Sequence, residues 1–300
     1  LEAKNLLDNT IIFFWSDHGG NLLRQKRAVG NSGLHVPLII RYPNKYKAGE
    51  VENALVSLMD LGPTVMSLLD IKPPKHTDGK AFAGRYKKES RGYIFGSADR
   101  FDESTDMQRS VLDGRFVYIK NFMTELPLIF RNKYREQIPM NKKLIDMDIK
   151  GELSGDAAYI FMKKKPVEEL YDLKTDPDEV HNLALNPVYE AKLIELRTAL
   201  SKWQAEIDDQ GFKPESEIIK GFWPKMIQPV TSDVKIEINS YGLVKMSCDT
   251  KGASIGYQTE DMIGMGRWLL YTKPIKIKST QKLLARAIRI GYKASNITLN

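Results

Sequence analysis

The stretch TIIFFWSDHGGNLLRQKRAVGNSGLHVPLII, Thr10 to Ile40, decides how the rest of the chain is read. It holds two continuous apolar runs, residues 11–15 and 36–40, both rich in Ile, Val and Phe. Runs of this kind suit strands buried on both faces, the mark of a parallel sheet covered by helices. Binding sites of open α/β sheets lie at the carboxyl ends of strands, and the first run ends on Ser16, Asp17, His18, Gly19 and Gly20. An ionised Asp17 offers hard oxygen donors to Ca²⁺ or Mg²⁺, and His18 offers a ring nitrogen to a metal or a proton to a leaving group. The two glycines permit a sharp turn and leave room for a ligand. Alone, an Asp-His pair after a strand also describes an ordinary turn held by its own hydrogen bonds.

Downstream, DLGPTVMSLL (residues 60–69) has Asp60 as an N-cap, an early Pro63 and apolar residues at helical spacing, so a short helix is expected there. KPPKHTDGK (residues 72–80) then reads as a loop. From residue 91 the pattern changes to shorter strands: RGYIFGSA, QRSVLDGRFVYIKN with a turn at Asp113-Gly114, and EELYDL. A helix follows in NPVYEAKLIELRTALSKWQAE, with Tyr189, Leu193, Leu196, Leu200 and Trp203 on one stripe facing that second sheet. Three prolines between Gly211 and Pro229 mark a linker, and the alternating runs beyond it describe a small all-β module. The expected organisation is an α/β core at 1–90, an α+β subdomain at 91–211, a linker at 212–228 and a β-sandwich at 229–300.

The 300 residues, 42% hydrophobic and 28% charged, suit a globular protein with a sizeable core. The chain begins at Leu1, and its first residues read as the tail of an amphipathic helix, as expected of a fragment lacking its N-terminal part. No run is long enough to span a membrane. Cys248 is the single cysteine, which excludes an internal disulfide and suits a buried strand thiol. The net charge of +7, with clusters at Arg24 to Arg27 and Lys163 to Lys165, favours anionic partners. No RNA-binding motif, zinc-finger spacing or basic helix with interleaved aromatics is present, so nucleic acid is not expected.

The order of apolar strand, Ser-Asp-His-Gly, a basic stretch with Lys26, then SGLHVPLIIRYP resembles the formylglycine-dependent sulfatases of the alkaline-phosphatase-like superfamily. VSLMDLGPTVMSLLDI, VLDGRFVYIKN and EELYDLKTDPDEVHNLA continue the likeness to residue 184, and several motifs in order are more specific than any one. The resemblance implies a sulfuric ester hydrolase acting on sulfated polysaccharides or oligosaccharides, exported to the periplasm or the extracellular space. It implies that Asp17 and His18 ligate Ca²⁺ and that Lys26, nine residues before His35, meets the sulfate as a point charge. Arg24 or Arg27 is the alternative anion contact. His35 stands where the family commonly has Arg, which suggests a structural role, and His76 and His181 read as solvated loop residues. Arg100 and Asp102, with Asp99, form a polar group after a strand and are candidates for touching sugar hydroxyls.

The family's nucleophile, a formylglycine made from a C/S-x-P-x-R motif, and its upstream acidic ligands are absent from this sequence. The 300 residues are therefore expected to carry one side of an active site and to be inactive alone. SIGYQT and LLARAIRIG near the C-terminus resemble the small β-sandwich appended to chitobiases and other carbohydrate enzymes. Two alternatives fit the same residues: a phosphodiesterase or phosphonate hydrolase of the same superfamily, or a non-catalytic glycan-binding relative.

Overall fold

A computed structural model describes residues 1–101, 104–278 and 280–300. The chain divides into two compact units, Leu1–Gly211 and Phe212–Asn300.

In the first unit, β1 (Ile12–Trp15) is followed by α1 (Asn31–Leu34), β2 (Leu38–Arg41) and α2 (Leu61–Leu68). β1 and β2 pair antiparallel, with Ile12 opposite Arg41 and Trp15 opposite Leu38, where the apolar runs had suggested strands of a parallel sheet. Parallel neighbours need a long crossover, usually helical. Here the connection makes only the single turn of α1 and folds back on itself, Gly19 N–H donating to the Gly33 carbonyl at 3.0 Å. The strands are not buried on both faces either: Phe14, Trp15 and Ile39 are 61%, 46% and 62% exposed.

Asp60 immediately precedes α2, yet its buried carboxylate does not cap that helix. It accepts from Ser57 N at 2.9 Å, Lys80 N at 2.6 Å and both Nε and Nη2 of Arg91. Burial disfavours its charge, but these donors outweigh that and hold its pKa below the ordinary carboxylate value. The loop after α2 is fastened to it by hydroxyls, with Phe82 N donating to Thr64 Oγ1 and Tyr86 N to Ser67 Oγ.

A four-stranded antiparallel sheet follows in the order β3 (Ile94–Phe101), β4 (Ser104–Leu112), β5 (Phe116–Asn121), β6 (Glu168–Asp172). The β4–β5 turn forms at Asp113-Gly114: Gly114 takes φ +97°, and Asp113 Oδ1 accepts from Arg115 N and Phe116 N. Between β5 and β6 lie α3 (Pro139–Ile149) and α4 (Gly155–Tyr159). α5 (Glu190–Glu206) buries Leu193, Leu196 and Leu200 against Val111, Phe116, Tyr118 and Leu170, and Trp203 stacks on Phe95 with ring centroids 4.8 Å apart. The helical stripe read from the sequence is the packed one.

The second unit opens with α6 (Glu215–Phe222), inside the segment expected to be a linker. Trp223 Nε1 donates to the Gly291 carbonyl at 2.8 Å, so this segment is fastened within its unit. Two sheets complete the unit: β11 (Ile275–Lys276), β8 (Leu243–Ser247) and β7 (Lys235–Ile238) in one, and β10 (Leu269–Leu270), β9 (Ser254–Thr259), β12 (Leu283–Ile288) and β13 (Thr298–Leu299) in the other. Alternation fills the core: Val244 and Met246 from β8 meet Ile255 from β9 and Leu283, Ala285 and Ala287 from β12. Cys248 is half-buried just past β8, its thiol donating to the Ser232 carbonyl. Among the described residues no helix is long and apolar enough to cross a membrane.

Candidate functional site

The site grows from the end of β1. Ser16 Oγ donates to the His18 carbonyl at 2.7 Å, which bends the chain immediately after the strand. The turn leaves the Asp17 carboxylate 82% exposed, with Oδ2 at 3.5 Å from His18 Nε2. His18 Nδ1 lies 2.6 Å from the Gly19 carbonyl. A carbonyl only accepts, so the Nδ1 position carries the proton and, in the neutral ring, Nε2 presents a lone pair towards Asp17. Two lone-pair donors facing each other at this distance repel unless a cation or proton stands between them, and a backbone-fixed tautomer is the usual support of a ligating histidine.

The glycines have a steric cause. A Cβ on Gly19 would lie 2.2 Å from the Ser32 carbonyl oxygen, and one on Gly33 would lie 2.3 Å from the Ala28 and 2.5 Å from the Gln25 carbonyl oxygens. Two backbone segments cross there, and the Asp17-His18 turn is pinned to the segment leading into β2.

The basic loop is built around the buried Glu179 of the distant EELYDLKTDPDEVHNLA motif. Arg24, at φ +65°, donates from Nη1 to the Asp178 carbonyl and from Nη2 to the Glu179 carbonyl, both at 2.8 Å. The Glu179 carboxylate accepts from Asn31 N at 2.8 Å and lies 3.9 Å from Arg24 Nη2. Burial pushes the Glu179 pKa above the ordinary value, and Asn31 N–H and Arg24 oppose it. Arg24 is thus a structural tie of the loop. Lys26 is differently placed: its backbone N–H is held by the Gly20 carbonyl at 2.9 Å, and its Nζ stands 5.5 Å from the centre of the Tyr134 ring.

Lys26, Arg27, Asp99, Asp106, Gln108 and Arg135 are among the residues around a cavity of about 100 Å³ behind the loop. Two acids of its lining are hydrogen-bonded by neighbouring groups. Asp106 Oδ1 accepts from the buried Lys165 Nζ at 2.5 Å. Glu169 accepts from Asn121 Nδ2 and from the Tyr171 hydroxyl, whose pKa burial drives far above the ordinary phenol value, so it remains a donor.

The remaining candidates fall elsewhere. Arg100 is an exposed residue inside β3, beyond a bulge that follows Ala98, and not in a loop after the strand; it is not among the cavity residues. Asp102 lies outside the described residues. Asp99 does face the cavity, but Oδ1 accepts from Arg109 Nη1 at 2.9 Å. His35 caps the C-terminus of α1 through its backbone N–H and is exposed, as is His76. His181 is 68% exposed beside Asp176 and Asp156.

The sequence reading missed Glu179 and Tyr134. Glu179 sat inside a quoted motif, but its partner Asn31 is 148 residues away. No local pattern signals Tyr134, which meets Lys26 only through the fold.

Asp17 and His18 fit as two ligands of a divalent cation: one hard oxygen donor, one oriented imidazole nitrogen, both at an accessible turn. Among the described residues no cluster of three or more His, Cys, Asp or Glu side chains gathers into a metal site. Two donors alone would not complete the coordination shell of such a cation.

The Sulfatase family model matches residues 1–71. The chain is 45% identical over 298 residues to an ulvan-active sulfatase of Formosa agariphila, covering 98% of this chain and 50% of that protein. It is 27% identical over 224 residues to the human N-sulphoglucosamine sulphohydrolase, covering 70% of this chain and 44% of that one. A solved 2-O GAG sulfatase superposes with a TM-score of 0.48 at 23% identity, over 68% of this chain and 38% of the other. The likeness is to the C-terminal portion of an alkaline-phosphatase-like sulfatase. It spans about half the length of the curated relatives it matches.

Proposed function

We propose that this chain forms one side of the active site of a sulfate ester hydrolase acting on a sulfated polysaccharide or oligosaccharide. The supporting observation is the Asp17-His18 pair, two donors converging at 3.5 Å on the loop that also carries Lys26. The identity to an ulvan-active sulfatase over nearly the whole chain supports the substrate class. Asp17 and His18 would hold a Ca²⁺ ion, with further ligands from water or from polypeptide outside these residues; when bound, the ion neutralises negative charge on the sulfate oxygens. Lys26 places its ammonium against the same anion, and Tyr134 limits where that ammonium goes. Arg24 and Glu179 fix the loop so that this charge is in place before the substrate arrives. The nucleophile, a formylglycine in this family, would come from polypeptide outside these residues. Export to the periplasm or beyond the cell follows from a polysaccharide substrate.

The test uses the longer protein containing these residues. Sulfate release from a sulfated polysaccharide, its oligosaccharides and a matched phosphate ester is followed with and without a Ca²⁺ chelator. Release of sulfate that stops with the chelator and resumes on adding Ca²⁺ is expected. Preference for the phosphate ester, or no hydrolysis of either, would overturn the reading.

A further inference from the structure

The charge of this molecule is not spread over it. The first unit has 31 Lys and Arg against 31 Asp and Glu, whereas the second has 14 against 7, so all of the net +7 belongs to Phe212–Asn300. Residues 262–300 contain eight Lys and Arg and no Asp or Glu. So one-sided a balance raises the local concentration of polyanions.

Part of that charge lies on one ordered face. In β8 the residues alternate, Val244 and Met246 buried, Leu243, Lys245 and Ser247 exposed. Lys276 on the edge strand β11 stands opposite Leu243 and so shares the exposed face with Lys245. Ile277 is buried, which returns the exposed Lys278 to the side of Lys276. Ile277 N–H donates to the Gly242 carbonyl at 2.9 Å, and this sets the β7–β8 turn alongside the three lysines.

That turn presents Tyr241, 82% exposed, in a fixed conformation: Asn239 Oδ1 accepts from Tyr241 N at 3.0 Å and Leu243 N at 2.9 Å, and Gly242 takes φ +74°. Lys245, Lys276 and Lys278 form no ion pair with any described residue. Glu237 is the acid in register with Lys245, while Lys235 is already engaged by Asp249 at 2.7 Å.

We infer that this face binds a sulfated polysaccharide, the three lysines meeting successive sulfates and Tyr241 with Leu243 offering an apolar shelf to a sugar ring. The choice of glycan rests on the activity proposed above, since a polyanionic polysaccharide is then the partner presented to this polypeptide. The unit would hold the chain on its polymer while the site around Asp17 and Lys26 acts.

Binding of the full chain to immobilised ulvan, to chemically desulfated ulvan and to a duplex DNA fragment tests this without turnover. At about 0.1 M salt the triple variant Lys245→Ala, Lys276→Ala, Lys278→Ala is expected to bind ulvan at least about tenfold more weakly, with a shallower salt dependence. Tyr241→Ala should weaken ulvan binding severalfold at unchanged salt dependence and leave DNA binding unaltered. Equal binding of ulvan by wild type and triple variant, equal binding of desulfated ulvan, or tighter binding of DNA than of ulvan each overturns the proposal. Unchanged thermal unfolding of the variants separates lost contacts from lost fold. In the longer protein, wild type that is not retained on ulvan yet releases sulfate from a small sulfated sugar rejects this inference alone, whereas retention with no sulfate release rejects the catalytic reading alone.

Discussion

The two units use charge in opposite ways. In Leu1–Gly211 buried charges are spent on each other: Arg109, 1% exposed, is held by Asp209 at 2.7 Å and Asp99 at 2.9 Å, and Asp60, Asp172 and Glu179 are each met by an arginine. In Phe212–Asn300 the core is aliphatic, from Val244 to Ala287, and the lysines stand outside it. The first unit is therefore a scaffold whose loops are positioned by ion pairs across long sequence separations. The second is stable through apolar burial, and its charge is available to a ligand.

The largest expected effect breaks the first half of that contrast. Arg109→Met leaves Asp209 and Asp99 without their cation in a buried setting and should cost about 3–5 kcal/mol of stability, read as a loss of denaturation midpoint. A variant as stable as wild type would remove the claim that these pairs hold the unit together. Next comes an acid effect. Arg109 holds the Asp209 carboxyl at about 2 against an ordinary 3.8, so the folded state binds its proton later than the unfolded state. The stability it supplies is complete above the unfolded value and is lost as pH falls through about 2. Asp209→Asn should abolish roughly 2 kcal/mol of that pH dependence, measured by denaturation at pH 5 and pH 2.

A smaller effect concerns the site loop. Gly19→Ala forces the crossing segments apart and should cost about 1–2 kcal/mol, with a larger loss of cation affinity than of stability by calorimetry. Smallest is the second unit: Lys276→Ala or Lys278→Ala should change stability by less than about 0.5 kcal/mol in a thermal melt, because neither lysine forms an ion pair with any described residue. A larger loss would mean that these lysines are structural after all.

The turn that carries the candidate residues was legible because its parts are local. Asp17, His18, Gly19 and Gly20 follow a strand and are read together from one stretch, and the α5 stripe follows from helical spacing alone. Strand direction was not legible, since an apolar run looks the same whether its neighbour runs parallel or antiparallel, and the exposure of Phe14 and Ile39 is set by what packs on them. The segment 212–228 was misread for a related reason: three prolines signal a break, but α6 fits between Pro214 and Pro224, and the anchor of Trp223 lies on Gly291. The distant ties of the basic loop, Glu179 to Asn31 and Tyr134 to Lys26, are properties of the assembled fold.

The central claim is that Lys26 supplies positive charge to a sulfate held beside Asp17 and His18. The most direct measurement is kcat/KM for sulfate release by the longer protein, comparing Lys26→Ala with Lys202→Ala, an exposed helix lysine. A fall of about 10²–10³-fold for Lys26→Ala alone is predicted. Equal rates for the two variants would contradict it.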